Sequence, residues 1–239
     1  MNTQATIEAP KTVLRDVDAT LRRFDMITPG SRVAVGVSGG KDSLLLAVTL
    51  RTLGARADWD FEVVPVHLDQ RQPGFDRAGF DAALAACGLE PVVVEKDTWS
   101  VVSAQLEPGA IPCPLCSRMR RGILNRWCEA EGIETLALGH HLDDAVETFF
   151  LNLFFQRQLD PLKPVTPNAS ESVRTVRPMI RIEAQRIRDW VARSGLEPVP
   201  CPVCDGIPSS QRRRMGALLH TLREAHPELA LSVRDALYR

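Results

Sequence analysis

Residues 32–53 read RVAVGVSGGKDSLLLAVTLRTL, and this stretch decides the fold. Apolar side chains alternate along 32–37, which predicts a buried strand, and the apolar run in 44–53 predicts a helix. Between them lies the loop 38–43, where Gly39 and Gly40 let the backbone turn sharply and approach an anion. The helix that follows offers unpaired N–H groups and the positive end of its dipole. The stretch therefore predicts a strand, a phosphate-binding loop and a helix.

The side chains of this loop suit a nucleotide phosphate. Hydroxyl and ammonium groups are hydrogen-bond donors that an anion prefers. The candidate phosphate-binding residues are Ser38, Gly39, Gly40, Lys41, Asp42 and Ser43. The loop is not the P-loop of many nucleotide-binding proteins, because Val35 stands where the first glycine of that motif belongs. An ordinary glycine-rich turn is the alternative interpretation.

Strands and helices alternate along the rest of the chain. We predict further strands at 61–68, 91–95, 135–138 and 173–176, and helices at 12–24, 76–87, 117–131, 142–155, 183–194, 210–224 and 229–237. Residues 159–171 are rich in proline and polar side chains and predict a loop. This order predicts an α/β fold with a doubly wound, mainly parallel sheet and a small helical C-terminal part. We divide the chain into an N-terminal helical segment (1–30), the main domain (31–172) and a C-terminal, mostly helical segment (173–239).

The overall composition is that of an ordinary globular protein. Apolar residues make up 44% of the 239 residues and charged residues 25%, with a formal net charge of −1. No overall positive field therefore indicates a nucleic-acid-binding protein, and such a role depends on local patches. Residues 1–18 lack the apolar core of a signal peptide, and no apolar run is long enough to span a bilayer. We expect a cytoplasmic protein that does not bind membranes.

An acidic stretch follows the predicted strand 135–138. It reads GHHLDDAVET over 139–148, and the spacing of Asp143, Asp144 and Glu147 places these carboxylates on one helix face. Asp143 and Glu147 are candidate Mg²⁺ ligands beside ATP phosphates. Acidic residues are also common in a first helical turn because of the helix dipole alone, which is the alternative.

Two cysteine pairs suggest a metal site. Cys113 and Cys116 form one Cys-Pro-x-Cys pair, and Cys201 and Cys204 form the other; each follows a proline and is predicted in a loop. In a reducing compartment such cysteines are more often metal ligands than disulfides. Thiolate ligands suit zinc or an iron–sulfur cluster equally at this point. The remaining cysteines, Cys87 and Cys128, lie in predicted helices and are expected in the core.

Several longer motifs resemble one known family. The loop 38–43 has the form of the PP-loop ATP pyrophosphatases. The stretches LDQRQPGF (68–75), CPLCSRMRRGIL (113–124), GHHLDDAVET (139–148), Arg177-Pro178 and 201–211 are similar to the tRNA 2-thiocytidine synthetase family of that superfamily. The resemblance covers the chain from about Arg32 to beyond Gln211.

The resemblance implies a reaction and its cofactors. ATP, with Mg²⁺, would be cleaved between its α- and β-phosphates to adenylate C2 of an anticodon-loop cytidine in tRNA, and sulfur would replace the oxygen to give 2-thiocytidine. A [4Fe-4S] cluster would be held by Cys113, Cys116 and Cys201, with one iron open to carry sulfur and Cys204 as the spare cysteine. A sulfur donor such as a cysteine desulfurase is the implied partner, and a homodimer is among the expected assemblies.

The resemblance also implies roles for particular residues. Lys41, Asp42, Asp143 and Asp144 are the implied catalytic residues, and His67, Asp69, Gly139 and His140 join the loop 38–43 as implied ATP-binding residues. Leu142 stands where many family members carry arginine, so a cation near the ATP site is expected to be missing.

Local basic clusters flank the cysteine pairs. Arg118, Arg120 and Arg121 follow the first pair and are the candidate RNA-binding residues, because an RNA backbone would have to lie beside the site. Other functions remain open at this point. One is a PP-loop enzyme of the same cluster-dependent type that acts on another base or a small molecule, and another is a PP-loop enzyme such as an amide-forming ligase, with zinc in the cysteine site. The third is a non-catalytic iron–sulfur regulator that binds RNA.

Overall fold

The computed structural model describes residues 6–106, 111–203 and 211–238. The strands are β1 (Arg32–Gly36), β2 (Glu62–Asp69), β3 (Val92–Glu95), β4 (Thr135–Ala137), β5 (Val165–Pro167) and β6 (Arg174–Val176). The helices are α1 (Lys11–Arg23), α2 (Lys41–Gly54), α3 (Arg77–Ala86), α4 (Trp99–Ala104), α5 (Cys113–Ala130), α6 (Leu142–Leu151), α7 (Ala184–Ser194), α8 (Gln211–Ala225) and α9 (Leu229–Leu237). A π-helical turn, Asn152–Gln156, continues α6.

The strands form one six-stranded sheet in the order β3-β2-β1-β4-β6-β5. All neighbouring pairs are parallel except β5, which runs antiparallel to β6 at the edge. The chain moves from β1 outward to β2 and β3 and then returns to place β4 on the other side of β1. The predicted doubly wound α/β sheet is therefore confirmed, and its topological switch point lies between β1 and β4.

Alternate side chains of the strands pack on opposite faces of the sheet. Val33 and Val35 belong to the core formed with α1, α2, α3 and α7, whereas Ala34 belongs to the core formed with α5. Both faces of β1 are thus covered by helices, as parallel sheets require. The predicted N-terminal segment contributes α1 to this core, and the predicted C-terminal segment contributes β6 to the sheet.

The structure corrects three details of the prediction. The predicted loop 159–171 contains β5, whose last residue, Pro167, has no N–H to donate and is tolerated because this strand is at the edge. The short helix α4 was not predicted. The first cysteine pair lies in the first turn of α5, not in a loop; Pro114 near the start of that helix is compatible with it because helical N–H groups are unpaired there.

Helices α6, α8 and α9 pack together beside the sheet. Leu142, at the start of α6, is fully buried and packs with Met215 and Leu219 of α8 and Ala230 of α9. Leu142, which stands where the resemblance implies an arginine, therefore belongs to an apolar core. None of the helices in the described ranges is both long and apolar enough to cross a membrane.

Candidate active site

The candidate site lies at the switch point of the sheet, where ligands bind in open α/β folds. The loop 38–43 follows β1, and Gly139 and His140 follow the neighbouring strand β4. A Cβ atom on Gly139 would lie 3.0 Å from the carbonyl carbon and oxygen of Asp42. Glycine at 139 therefore allows the two segments to pack closely, which brings both predicted ATP-binding segments together.

Hydrogen bonds of the Ser43 hydroxyl group fix the conformation of the phosphate loop. Ser38 N donates to Ser43 Oγ at 3.1 Å, and Ser43 Oγ donates to the Gly40 carbonyl at 2.9 Å. Gly39 has φ of +81°, a conformation that other residues rarely adopt, and Gly40 is the N-cap of α2 with no side-chain cap. The first N–H groups of α2 remain available for an anion.

The charged groups of the loop form a chain with His141. Lys41 Nζ lies 2.9 Å from Asp42 Oδ2, and His141 Nε2 lies 3.8 Å from Asp42 Oδ1. Both Lys41 and Asp42 are partly exposed, so they remain accessible to a ligand. Lys41 and Asp42, two of the four predicted catalytic residues, therefore form an ion pair within the loop.

His67 and Asp69 of β2 have local partners. His67 is buried, its Nδ1 is 2.9 Å from the Val37 carbonyl oxygen, and its ring packs against Phe75 and Phe80, which also contact each other. Burial lowers the pKa of His67. Asp69 Oδ1 accepts a hydrogen bond from Arg71 N at 2.9 Å. In this arrangement His67 contacts the residue that precedes the loop, and Asp69 fixes the turn after β2.

His140 is half-buried and has an unused hydrogen-bonding atom. Its Nδ1 is buried without a partner among the described atoms. Burial lowers the pKa of His140 to about 4, and the nearby Asp144 carboxylate offsets this only in part. The imidazole is therefore neutral near pH 7 and is able to accept or donate a hydrogen bond to a ligand.

The acidic residues of α6 hold the C-terminal helices. Asp143 accepts hydrogen bonds from Ala184 N of α7 and from Arg223 Nη1 of α8, both at 2.7 Å. Burial acts to raise the pKa of Asp143, but these two donors outweigh it, and the pKa lies below its ordinary value. As placed, Asp143 joins three helices.

The other two acids of α6 share one arginine. Arg212 lies 2.8 Å from Glu147 Oε2 and 3.2 Å from Asp144 Oδ1. Asp144 also accepts a hydrogen bond from the backbone of His141 at 3.0 Å, so it caps its own helix. Asp144 and Glu147 therefore lie on one face of α6, and the cation they share is the side chain of Arg212.

The three predicted cluster ligands come together near the end of β2. Burial raises the pKa of the Cys116 thiol; nearby Arg120 opposes this, and the neighbouring Cys201 and Cys113 sulfurs raise it further. A Cβ on Gly74 would lie 3.6 Å from Cβ of Pro202, so the second cysteine segment packs on the loop after β2. Cys204, the predicted spare cysteine, lies outside the described residues.

The donor set fits an iron–sulfur cluster. Thiolates are its usual ligands, and because a cluster binds each cysteine through a different iron, its ligands need not surround one point. Within the described ranges no three His, Cys, Asp or Glu side chains are gathered around a single ion position. Cys87 and Cys128 are fully buried as expected, and burial raises the pKa of their thiols to about 11 and about 12.

Sequence reasoning missed two glutamines at this site. Gln70 and Gln72 lie in the LDQRQPGF motif, and both side chains contact Cys116 Sγ, at 3.2 Å and 3.5 Å. The motif itself could have indicated these residues, because its glutamines come just after the end of β2.

A group of arginines lines the same end of the sheet. Arg121 is near Arg118 and Arg120. Burial is the largest cause of its lowered pKa, and the two neighbouring cations lower the pKa further. Arg177, which follows β6, is buried, and burial together with Arg121 lowers its pKa to about 10. Arg177 donates to the Lys163 carbonyl at 2.7 Å, while its Nε has no partner in the described part of the chain. This arrangement favours binding of an anion.

Comparison with known proteins is consistent with this geometry. A family model for the PP-loop domain matches residues 11–199. A tRNA-cytidine(32) 2-sulfurtransferase of Stenotrophomonas maltophilia (strain R551-3) is 38% identical over 217 residues, which cover 91% of this chain and 73% of that protein. One of Neisseria gonorrhoeae (strain NCCP11945) is also 38% identical, over 92% of this chain and 69% of that protein.

A solved structure with a similar fold contains an iron–sulfur cluster. The U34-tRNA thiolase NcsA from Methanococcus maripaludis, determined with its [4Fe-4S] cluster, superposes with a TM-score of 0.74. It is 26% identical, and the match covers 95% of this chain and 76% of that one.

Proposed function

The chain belongs to the tRNA-cytidine(32) 2-sulfurtransferase family of PP-loop proteins, and we propose that it thiolates a cytidine of the tRNA anticodon loop. The reaction uses ATP to activate C2 of the base and replaces its oxygen with sulfur. The product is 2-thiocytidine, together with AMP and pyrophosphate.

One observation carries this proposal: the phosphate loop and the cysteine site are neighbours. A Cβ on Gly39 would lie 3.3 Å from Cβ of Val199, only a short distance along the chain from Cys201. An adenylated base held by the loop would therefore lie close to the three thiols. This closeness suits a reaction in which ATP adenylates the oxygen on C2 and sulfur then replaces that oxygen.

The loop binds and orients ATP in this proposal. Backbone N–H groups of Gly39 and Gly40 and the hydroxyl groups of Ser38 and Ser43 would bind the phosphates, and Lys41 would neutralise their charge. The base oxygen attacks the α-phosphorus and pyrophosphate leaves. Adenylation supplies a good leaving group, which a bare carbonyl oxygen is not.

Asp42, the carboxylate within the loop, would hold Mg²⁺, and the ion would neutralise charge on the ATP phosphates. Asp143 and Glu147, predicted as ligands from the sequence, are ion-paired with Arg223 and Arg212. Their binding to Mg²⁺ requires these arginines to release them first. If the ATP phosphates bind Arg212, they would release Glu147 from its ion pair.

Cys113, Cys116 and Cys201 would hold the [4Fe-4S] cluster, which would supply the sulfur that replaces the oxygen of the base. The chain itself supplies a half-buried position for Cys116 and an exposed one for Cys201. An exposed ligand at the rim suits a site that must receive sulfur from outside. The proposed donor is a cysteine desulfurase or a similar protein, in the cytoplasm, where thiolates persist.

The arginines would position the RNA. Arg118, Arg120, Arg121 and Arg177 would bind phosphates on either side of the target base, which must be unstacked to reach the site. We also propose a homodimer, for which exposed apolar side chains after α6 offer a surface: Phe154, Phe155 and Leu159.

The products of ATP turnover test this function. Anaerobically reconstituted protein with unmodified tRNA and a sulfur source is expected to form AMP and pyrophosphate, and only slowly without tRNA. Asp42→Asn should abolish turnover, whereas Asp58→Asn, which removes an exposed ion pair with Arg22, should not. Formation of ADP and phosphate, or no dependence on tRNA, would contradict the assignment.

A further inference from the structure

Two glutamine amides surround the sulfur of Cys116. Gln70 is buried, with 8% of its surface exposed, and its Oε1 accepts from Cys116 Sγ at 3.2 Å and from Thr98 Oγ1 at 3.3 Å. Gln72 Nε2 donates to the same sulfur at 3.5 Å. Both residues come from the LDQRQPGF motif, to which the proposed reaction gives no role.

The backbone fixes these amides in place. Gln70 follows the last residue of β2, and its carbonyl accepts a hydrogen bond from Trp99 N at 3.2 Å. The next residue, Arg71, has φ of +58°, and its N–H is bonded to Asp69. With this backbone, the side chains of Gln70 and Gln72, two residues apart, face the same sulfur. Such strain in a non-glycine residue is typical of functional loops.

The hydrogen bonds change direction when the sulfur binds iron. A thiol donates to Gln70 Oε1, but a thiolate ligand only accepts. Turning the Gln70 amide over about its terminal bond presents Nε2 to the sulfur, and the Thr98 hydroxyl then accepts the other N–H. Gln72 already donates. The same residues therefore satisfy the bound and the unbound sulfur without moving the backbone.

We propose that Gln70 and Gln72 are positioning residues of the cluster site, which donate two N–H hydrogen bonds to Cys116 when it binds iron. This inference rests on the proposed function, since it assumes that Cys116 is a ligand. Donors to a ligand sulfur withdraw negative charge and favour the reduced cluster, and they orient the ligand toward the metal. Gln70 and Gln72 thus raise the reduction potential and slow the loss of iron.

The test compares Gln→Met variants, which keep the length of the side chain and lose the amide. Gln72→Met is half-buried and should fold normally; Gln70→Met removes the buried amide. Gln158→Met, at an exposed position outside the site, is the matched control. Anaerobically reconstituted proteins are titrated for reduction potential and mixed with an iron chelator to follow iron release.

Both site variants should show a lower potential, and iron release about tenfold faster than in the parent, with no change in Gln158→Met. A purely structural role would change the melting temperature of the apoprotein but would leave the potential of loaded Gln72→Met unchanged. Equal potentials and release rates in parent and Gln72→Met would overturn the inference and leave the proposed function intact. A parent protein that takes up no iron would overturn both.

Discussion

The amide of Val199 donates a hydrogen bond to the carbonyl oxygen of Gly39 at 3.0 Å. Gly39 belongs to the phosphate loop, and Val199, which is buried, leads into the segment that carries Cys201. The bond joins parts of the chain that are far apart in sequence. Because of it, the conformation of the phosphate loop and the position of the second cysteine segment depend on each other.

Gly39→Ala is expected to damage both parts of the site. An added Cβ would lie 2.8 Å from Phe80 Cδ2 and 3.3 Å from Val199 Cβ, and φ of +81° is unfavourable for alanine. We expect loss of ATP turnover and weaker iron uptake. Gly132→Ala is the matched control, since Gly132 also has positive φ but nothing within 4 Å of the new methyl group. The free energy of unfolding of each variant should fall by about 1–2 kcal/mol, because alanine is strained at positive φ. Equal ATP turnover in the two would show that loop geometry does not control the reaction.

Asp143→Asn is expected to lower the free energy of unfolding by about 1–3 kcal/mol, because it weakens the bonds to Ala184 N and Arg223. The pKa of Asp143 is lowered in the folded chain, so its stabilisation is complete above the ordinary value of 3.8 and is lost as the pH falls through the folded value. Urea unfolding between pH 3 and pH 7 measures this. The variant should lose less stability on acidification than the parent. If stability is unchanged at pH 7, Asp143 does not hold the helices together.

Replacement of single cysteines by alanine should separate ligands from core residues. Cys113, Cys116 and Cys201 should each be required for iron uptake during anaerobic reconstitution. Cys87→Ala and Cys128→Ala should keep the iron, because both side chains are fully buried in the apolar core, although they lower stability. Iron content and visible absorption measure the outcome. One tightly bound zinc and no iron in the parent would contradict the assignment of the cluster.

The local parts of this site could be predicted from the sequence. The strand, loop and helix around Gly39 follow from neighbouring residues alone. The choice of cysteine ligands came from the resemblance of their motif and stays a prediction. The roles of Asp143 and Gln70 could not be predicted in this way. The partner of Asp143, Arg223, lies 80 residues further along the chain, and Gln70 meets Cys116 46 residues away. Such contacts depend on how the helices pack on the sheet.

Weak or edge elements were also hard to predict. Strand β5 spans only Val165–Pro167 and has a single neighbour, so its pattern resembles that of a loop. The position of Leu142 in the core formed by α6, α8 and α9 depends on contacts with distant helices. A family motif does not report what covers a side chain, so the motif alone could not predict this packing.

Arg121→Gln should weaken tRNA binding more than ATP binding. Arg121 lies beside Arg118 and Arg120, and removal of one phosphate contact reduces the slope of log affinity against log salt by about 1. Arg15→Gln, at an exposed site on α1, is the control and should leave the slope unchanged. Filter binding over a salt series measures both. An unchanged slope in Arg121→Gln would place the RNA elsewhere on the protein.

Nucleoside mass analysis of the tRNA product detects the thiolated base itself. The reconstituted protein is incubated anaerobically with ATP, Mg²⁺, a sulfur source and unmodified tRNA, and the tRNA is digested to nucleosides. We expect 2-thiocytidine, formed only when ATP is present and absent with Cys116→Ala. Thiouridine in its place would keep the chemistry but reject cytidine as the substrate. No sulfur in any nucleoside, from protein that holds its iron and cleaves ATP, would contradict tRNA thiolation.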